Sequence, residues 1–485
     1  MKLINEIKEQ YFETERDLLI FSKNLENHSI KDLIDEKILN DNELNGKGGL
    51  GQIIEKLFFG YELNSRQEAD FLHLNRELKV APLKEIKKNS NSKDLRLKLG
   101  YSAKERIVIT IINYLSIVNE TWDNCSLKNK IKLLLMFYLY QKDTDKLDYV
   151  FKLIELWEPS IGDMKVIQSD WEKIVNKVKI GEAHNLSEGD TLYLGACTKG
   201  STALTSMREQ PYNSEKASQR AFCFKSSYVN SIISELYNKK NQHKENYIKL
   251  MSPMDISVEE SLYKRFSKYY QKSLKEIYEL LNIELNLGSK QFYNTVVNKI
   301  LGGKGDSTII ELEKAGIKTK VFRIDNNDKM PESLSFPAFN FIELANEEWD
   351  NSELKEMFES TKFLFVVFKM NCKNEEYKKL DDEEKIISLR LEKIILWNMP
   401  IETIEKDVRK TWEKTKEVIL QGVPREKRGN KVFNDFPSSK LEYNVVHVRP
   451  HARDREDTLL LPNGDRFTKQ SFWLSGKYIE KIINN

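Results

Sequence analysis

The second half of this 485-residue chain repeats the first half in outline. The letters NETWDN at 119–124 recur as NEEWDN at 346–351, an offset of 227. WEK at 171–173 recurs at 412–414, and AFCFKSSYVNSII from Ala221 recurs as SFWLSGKYIEKII from Ser471. The three matches keep their order and their offsets only grow, as insertions into the second copy would produce. A tandem duplication is therefore predicted, with each copy long enough for its own core.

The boundary between the copies is predicted in the polar segment NKKNQHKENY at 238–247. The two domains then cover residues 1–240 and 250–485. Apolar, β-branched runs predict strands at 78–80, 107–112, 131–140 and 363–368. Amphipathic segments between these runs predict helices. The expected fold class is α/β, with two tandem domains of the same kind, each a mixed β-sheet flanked by helices.

The charges of the chain nearly balance, with 77 Lys and Arg against 75 Asp and Glu. A net charge of +2 excludes a uniformly basic protein, so a nucleic-acid enzyme would have to concentrate its positive charge in a cleft. The four cysteines form no C-x-x-C pair, and a disulfide framework or structural zinc is not expected. The charged N-terminus and the lack of an apolar run of about 20 residues predict a cytoplasmic protein with no membrane segment.

Two carboxylates and a lysine stand close together in the first half. Asp70 precedes Glu77 by seven residues, and Lys79 follows Glu77 by two in the letters ELKV. On a strand, residues two apart project from the same face, so Glu77 and Lys79 would point into one cleft. Asp70 would begin the neighbouring strand of a hairpin, and Glu55 would arrive from the preceding helix. Hydrolysis of a phosphodiester suits this set, because Mg²⁺ prefers carboxylate oxygens and a lysine offsets negative charge.

The predicted roles are Asp70 and Glu77 as Mg²⁺ ligands, Lys79 as charge stabiliser or water positioner, and Glu55 as an outer carboxylate. Taken alone, a Glu and a Lys two residues apart more often mark a solvated strand face. The second copy supplies a further clue, since aligning Lys79 with Lys320 puts Lys318 opposite Glu77. The same alignment puts Glu311 opposite Asp70 and Asn298 opposite Glu55. One complete and one degenerate copy are expected.

At these residues the chain resembles the MutH group of the PD-(D/E)-x-K nuclease superfamily. It resembles most closely the staphylococcal-type Type II restriction endonucleases that cut at GATC. The resemblance covers most of the chain and rests on an ordered set of segments: 51–60, Asp70, 77–79, 104–114, 186–200, 219–228, 447–452 and 468–474.

This resemblance implies Mg²⁺-dependent double-strand cleavage at GATC by the N-terminal domain, where Glu55, Asp70, Glu77 and Lys79 match the catalytic pattern. It also implies a C-terminal MutH-like domain without catalytic residues, which binds a second copy of the site as an allosteric effector. The partner is thus double-stranded DNA, in two copies of the site. MutH itself nicks one strand in mismatch repair, and the additional domain argues against that role here.

Polar, basic segments in both halves predict the DNA contacts, because Arg and Lys suit guanine and phosphate while Gln suits adenine. In the first half the segment is ACTKGSTALTSMREQPYNSEKASQRAF, read as a recognition loop that leads into a strand. In the second half it is HVRPHARDRED with the following TKQ. The predicted DNA-binding residues are Lys199, Arg208, Gln210, Gln219, Arg220, Lys225, Arg449, His451, Arg453 and Lys469.

One active site per chain cannot cut both strands at once. A monomer in solution that dimerises on the palindromic DNA is therefore expected. Two alternatives remain open at this stage: a strand-specific repair nickase that depends on an activator, and a non-catalytic DNA-binding regulator that binds without Mg²⁺.

Overall fold

A computed structural model of the chain divides into two compact units. The first comprises Met1–Asn246 with Glu313–Gly316, and the second comprises Tyr247–Leu312 with Ile317–Asn485. The structure describes residues 3–4, 6–41, 49–62, 68–88, 95–199, 206–241, 247–252, 257–283, 292–303, 308–428, 431–439 and 445–484. Parts of two predicted segments, the recognition loop at 200–205 and the linker at 242–246, lie outside these ranges.

The strands of the first unit form a mixed four-stranded sheet, in the order β2-β1-β4-β5, an antiparallel sheet, in the order β3-β9-β6, and a hairpin of β7 and β8. Their bounds are β1 (Glu77–Glu85), β2 (Tyr101–Ala103), β3 (Ile107–Ile111), β4 (Leu133–Leu139), β5 (Phe151–Trp157), β6 (Leu194–Thr198), β7 (Met207–Gln210), β8 (Asn213–Ser218) and β9 (Arg220–Phe224).

The strands of the second unit repeat this plan, with a mixed sheet in the order β12-β14-β15 and an antiparallel sheet in the order β13-β21-β18. Three further pairs of strands complete it. The bounds are β10 (Tyr247–Ile248), β11 (Thr308–Ile309), β12 (Lys318–Ile324), β13 (Leu334–Ala338), β14 (Phe363–Met370), β15 (Leu389–Trp397), β16 (Arg425–Arg428), β17 (Lys431–Asn434), β18 (Val446–Pro450), β19 (Thr458–Leu460), β20 (Arg466–Thr468) and β21 (Gln470–Leu474).

Helices connect and cover these sheets, which confirms the predicted α/β class with mixed sheets flanked by helices. None of the helices in the described ranges is long and apolar enough to cross a membrane. Their bounds are α1 (Glu15–Ser22), α2 (Ile30–Leu33), α3 (Glu36–Asp41), α4 (Leu50–Ile53), α5 (Leu95–Leu99), α6 (Tyr114–Ile117), α7 (Ser126–Asn129), α8 (Ile161–Lys179), α9 (Ser226–Asn241), α10 (Val258–Ser267), α11 (Leu274–Leu281), α12 (Phe292–Ile300), α13 (Ile310–Ala315), α14 (Phe341–Asn346), α15 (Glu353–Ser360), α16 (Asn374–Tyr377), α17 (Asp382–Ser388), α18 (Ile401–Thr403), α19 (Arg409–Leu420) and α20 (Gly476–Asn484).

Strand register shows the duplication directly. In the first unit β1 pairs parallel with β4, and β4 pairs antiparallel with β5. In the second unit β12 pairs parallel with β14, and β14 pairs antiparallel with β15. Leu133 faces Trp157 in the first, as Phe363 faces Trp397 in the second. Even the register shift recurs, since it falls after Phe137 in β4 and after Val367 in β14.

The repeated tryptophans anchor equivalent contacts in the two units. Trp122 packs on Trp171 with ring centroids 5.9 Å apart, and Trp349 packs on Trp412 at 5.6 Å. In the first unit, Lys128 pairs with Asp123 at 2.8 Å beside Trp122. In the second unit, Lys355 pairs with Asp350 at 3.0 Å beside Trp349. The NETWDN and NEEWDN blocks therefore serve the same structural role in the two units.

Each unit has its own apolar core. In the first, the aromatic side chains of Phe58, Phe59 and Phe71 are at most 2% exposed and pack under the inner face of β1 and β4. In the second, Phe341, Phe358 and Phe365 are fully buried in the corresponding layer. Burial of this much aromatic surface on each side of the boundary explains why two units form rather than one.

Candidate active site

A sharp turn before β1 brings Asp70 back beside the strand. Phe71 and Arg76 form a single antiparallel bridge, and Asn75 closes the turn in the left-handed conformation with φ of 51°. The backbone N–H of Leu78 then donates to Asp70 Oδ2 at 2.8 Å. The spacing of seven residues thus places the Asp70 carboxylate against the start of β1, close to the predicted hairpin arrangement.

Glu77 and Lys79 lie on the same face of β1, as their spacing predicted. Lys79 Nζ donates to Glu77 Oε1 at 2.8 Å. The Glu77 side chain is only 5% exposed, while that of Lys79 is 20% exposed. A carboxylate this deeply buried is expensive unless charged partners surround it, which marks the position as a built site.

Lys130 is the residue that sequence reasoning missed here. The structure buries Lys130 to 9% exposure and places its Nζ 3.4 Å from Glu77 Oε2. Lys132 instead pairs at the surface with Glu158. Glu77 therefore lies between two ammonium groups.

Glu55 enters from the opposite side, on a short π-helical turn that follows α4 (Leu50–Ile53). The turn ends at Phe58. Two residues later, at Gly60, φ is 73° and an added Cβ would lie 2.2 Å from the carbonyl oxygen of Lys8. Only glycine fits there. Burial raises the pKa of Glu55 to about 7, and repulsion from Asp70 adds to this shift.

The carboxylates interact electrostatically as one cluster. The pKa of Asp70 is raised, first by burial and then by repulsion from Glu77. Lys79 and Lys130 act in the opposite direction on both Asp70 and Glu55. Three carboxylates face two ammonium groups, so the ionised cluster carries excess negative charge. A cation would relieve this repulsion.

The donor set fits a hard divalent cation such as Mg²⁺. Glu77 Oε2 is buried and accepts no hydrogen bond from the described residues, and Asp70 accepts the Leu78 N–H through Oδ2. No group of three or more His, Cys, Asp or Glu side chains in the described ranges is arranged to hold a metal by itself. Two carboxylates are sufficient for Mg²⁺, which takes its remaining ligands from water and phosphate.

His73, which lies between Asp70 and Glu77 in the sequence, is not part of this cluster. Its Nε2 is bonded to the carbonyl oxygen of Phe12, and its ring stacks on Tyr11 with centroids 4.8 Å apart. His73 therefore serves packing at this position.

Three residues of the first unit that were predicted to bind DNA are buried, so the structure contradicts this prediction for them. Gln210 is 5% exposed; its amide donates to the Glu215 carbonyl and bonds His184, while its oxygen accepts from Ala183. With every polar atom used inside the protein, Gln210 cannot read a base. The segment at 207–218 is also a hairpin of β7 and β8 rather than a loop.

Arg220 is the first residue of the central strand β9, and Lys225 directly follows its last residue. Both side chains are buried. Arg220 is 4% exposed and donates to the Ala196 carbonyl at 2.6 Å. Lys225 is 3% exposed and donates to the Glu188 carbonyl at 2.9 Å. Burial lowers the pKa of Lys225 to about 8. Both side chains hold the strand ends together and are wrong as direct DNA contacts.

The other predicted contacts of the first unit lie nearer the surface. Lys199 and Arg208 are exposed. Gln219 is half-buried and donates its amide to the carbonyl oxygens of Ile112 and Arg220. Lys199 and Arg208 therefore keep the accessibility that a DNA contact requires, whereas Gln219 has already used its donors.

All four predicted contacts of the second unit reach the surface. Arg449 lies over the Trp473 ring with its guanidinium carbon 5.8 Å from the centroid, and the exposed His451 lies 6.1 Å from the same ring. The Arg453 side chain is 86% exposed. Lys469 is half-buried and pairs with Asp457 at 2.5 Å.

The chain is similar in sequence to known proteins. The family model described as DNA mismatch repair enzyme MutH matches residues 59–170, which contain Asp70, Glu77, Lys79 and Lys130. The Type II restriction enzyme Sau3AI of Staphylococcus aureus is 32% identical over 91% of this chain and 95% of its own length. DNA mismatch repair protein MutH of Shewanella baltica is 26% identical over 39% of this chain and 80% of its own length.

Proposed function

The chain belongs to the MutH-related family of Type II restriction endonucleases, and from this premise we propose that it cleaves double-stranded DNA at GATC by Mg²⁺-dependent hydrolysis of phosphodiester bonds. The observation that carries the proposal is the convergence of Asp70, Glu77 and Lys79 at the start of β1, where Glu77 keeps one buried oxygen without a hydrogen bond. The GATC sequence comes from the family resemblance, and the metal from the donor set.

Glu77 Oε2 and Asp70 Oδ1 are the oxygens that we assign as metal ligands. When bound there, Mg²⁺ supplies charge neutralisation at the phosphate and a more acidic water. In the hydrolysis the water oxygen forms a bond to phosphorus, a bridging P–O bond breaks, and the leaving oxygen takes up a proton. Leu78 orients Asp70 through its backbone N–H, so the ligand geometry is fixed before the DNA arrives.

Lys79 stabilises the negative charge that grows on the phosphate and positions the attacking water. Its ammonium group is held by Glu77 at 2.8 Å but remains partly exposed, so it faces both the carboxylate and the cleft. A preorganised charge of this kind acts without reorganisation during the reaction. Lys130, which is buried and lies 3.4 Å from Glu77 Oε2, is a positioning residue that holds the carboxylate in place.

Glu55 serves as the outer carboxylate. Its pKa of about 7 allows it to exchange a proton near neutral pH, and its charge couples to Asp70 and Glu77. We assign it to ordering water around the ion rather than to direct ligation. A carboxylate with a pKa near the working pH is suited to accept a proton from such a water.

DNA recognition is assigned to the residues that the structure leaves accessible. In the N-terminal domain, residues 1–240, these are Lys199 and Arg208. In the C-terminal domain, residues 250–485, they are Arg449, His451, Arg453 and Lys469. We propose that the second set binds another copy of the site and acts as an allosteric effector, and that the protein is a monomer that dimerises on DNA.

Plasmid cleavage tests the proposal. Plasmid DNA with several GATC sites is incubated with the protein in Mg²⁺ or in EDTA, and the fragment ends are sequenced. Discrete Mg²⁺-dependent fragments that end at GATC are expected. Nicked circles that depend on an added activator would instead support a repair nickase, and intact plasmid with DNA still bound would support a non-catalytic regulator.

A further inference from the structure

The second unit carries two lysines where the first carries its carboxylate and its lysine. Lys318 pairs with Phe363 of β14, just as Glu77 pairs with Leu133 of β4. Lys320 pairs with Phe365, two residues further along the strand. Lys318 therefore occupies the position of Glu77, as the sequence alignment predicted, and Lys320 occupies that of Lys79.

The charged residues that surround Glu77 in the first unit are also replaced or differently bonded in the second unit. Lys130 lies three residues before Leu133, and the residue three before Phe363 is Ser360. Glu311, which the alignment puts opposite Asp70, accepts bonds from the backbone N–H groups of Leu250 and Met251. Its carboxylate is occupied there, so the cluster has exchanged excess negative charge for two positive charges.

The two ammonium groups have no anionic partner among the described residues. Burial lowers the pKa of Lys318, and burial together with repulsion from Lys318 lowers the pKa of Lys320, with no carboxylate opposing either shift. Lys320 Nζ lies 5.7 Å from the centre of the Phe336 ring, which fixes the direction of its side chain. Lys318 is exposed and Lys320 is half-buried, and two neighbouring cations without a counter-charge in the described ranges favour the binding of an anion.

A cavity of about 380 Å³ opens at Lys318 and is bounded by the apolar Phe336, Phe339 and Leu354. Four glutamates also line it, at positions 343, 347, 353 and 356. None of them forms an ion pair with Lys318 or Lys320 in the described part of the chain. The Lys318 ammonium group is therefore not occupied by a carboxylate of this cavity.

We propose that Lys318 and Lys320 hold a backbone phosphate of a second DNA duplex directly, without a metal ion. A carboxylate cluster needs a divalent cation before it can accept a phosphate, whereas a lysine pair accepts one as it stands. The degenerate copy is thus a phosphate site that works without metal. The inference rests on the proposed function only in taking DNA as the polymer.

Metal-free DNA binding tests this site. Binding of the full chain to a fluorescent duplex with one GATC is measured in EDTA over a range of salt concentrations. The variant Lys318→Gln/Lys320→Gln should lose about tenfold in affinity, and its plot of log K against log salt should become shallower by about one to two units. The matched control Lys378→Gln/Lys379→Gln, which removes two exposed lysines beyond the other end of β14, should change affinity less than about twofold.

Two further measurements keep the test decisive. The glutamine double variant should melt at or above the wild-type temperature, because it removes a repulsion. The variant Lys318→Arg/Lys320→Arg should retain the affinity and the salt dependence. Wild-type affinity and slope in the glutamine variant, equal loss in the arginine variant, or binding that appears only with divalent metal would overturn the inference. Failure of the wild type to cut plasmid in Mg²⁺ would overturn the proposed function instead.

Discussion

Strands β1 and β12 pair with equivalent partner strands, β4 and β14, but they carry different charges. β1 runs parallel to β4 and β12 runs parallel to β14, in the same register. The first presents Glu77 and Lys79, supported by Asp70 and Lys130, while the second presents Lys318 and Lys320. The comparison teaches that the fold tolerates either a carboxylate or an ammonium group at this position.

The largest expected effect comes from removing the carboxylate that distinguishes the two strands. Glu77→Ala should slow plasmid cleavage at least about a thousandfold, because the metal and several kcal/mol of charge stabilisation are lost with it. Glu85→Ala, at the exposed end of the same strand, is the control and should cut at the wild-type rate. Cleavage by Glu77→Ala within tenfold of the wild-type rate would remove the distinction between the strands.

Lys79 sharpens the comparison, because a lysine is present at this position in both strands. Lys79→Ala should reduce the single-turnover cleavage rate by about 10²–10³-fold, since a preorganised charge beside the phosphate is lost. Its control is Lys84→Ala, on the exposed end of β1. If the rate is unchanged while DNA affinity falls, then Lys79 binds DNA as Lys320 is proposed to do and has no catalytic role.

Lys130 and Lys132 are both lysines and lie two residues apart, but Lys130 is buried whereas Lys132 is exposed. Lys130→Met should lower the free energy of unfolding of the first unit by about 1–3 kcal/mol, because the buried Glu77 loses a charged partner. Lys132→Met should change it by less than about 1 kcal/mol, because its pair with Glu158 is exposed. Urea denaturation measures both, and equal costs would contradict the burial of Lys130.

The smallest effect is the pH dependence that Glu55 contributes. Its pKa is about 7 in the folded protein against an ordinary value of 4.5, so the folded state binds this proton more tightly. The stabilisation is complete at low pH and is lost as the pH rises from about 4.5 to 7. In EDTA, Glu55→Gln should therefore gain in melting temperature relative to the wild type over that range. A gap that is constant with pH would contradict the shift.

The sequence predicted those parts of the fold and the site that depend on the two-residue repeat of a strand or on the internal duplication. The spacing of two put Glu77 and Lys79 on one face, and the repeated tryptophan blocks predicted equivalent anchors. Both follow from strand geometry or from the duplication. The alignment of Lys318 with Glu77 was also visible, because strand register is inherited with the fold.

The remaining features could not be predicted because they depend on pairing between strands that are far apart in the sequence. Lys130 reaches Glu77 only because β4 pairs with β1 across more than fifty residues of chain, and no local pattern contains that register. Arg220 and Lys225 looked like contacts in a basic segment, but β9 is the central strand of its sheet and is covered on both faces. A charged residue at the end of such a strand becomes buried, and composition alone does not reveal it.

Counting bound metal tests the central claim most directly, namely that one copy binds a catalytic cation and the other does not. Mn²⁺ binding to the full chain on a GATC duplex is measured by electron paramagnetic resonance for the wild type, Glu77→Ala and Lys318→Ala. The bound Mn²⁺ should disappear in Glu77→Ala and persist in Lys318→Ala. Retention in Glu77→Ala, or loss in Lys318→Ala, would contradict the division of roles between the two copies.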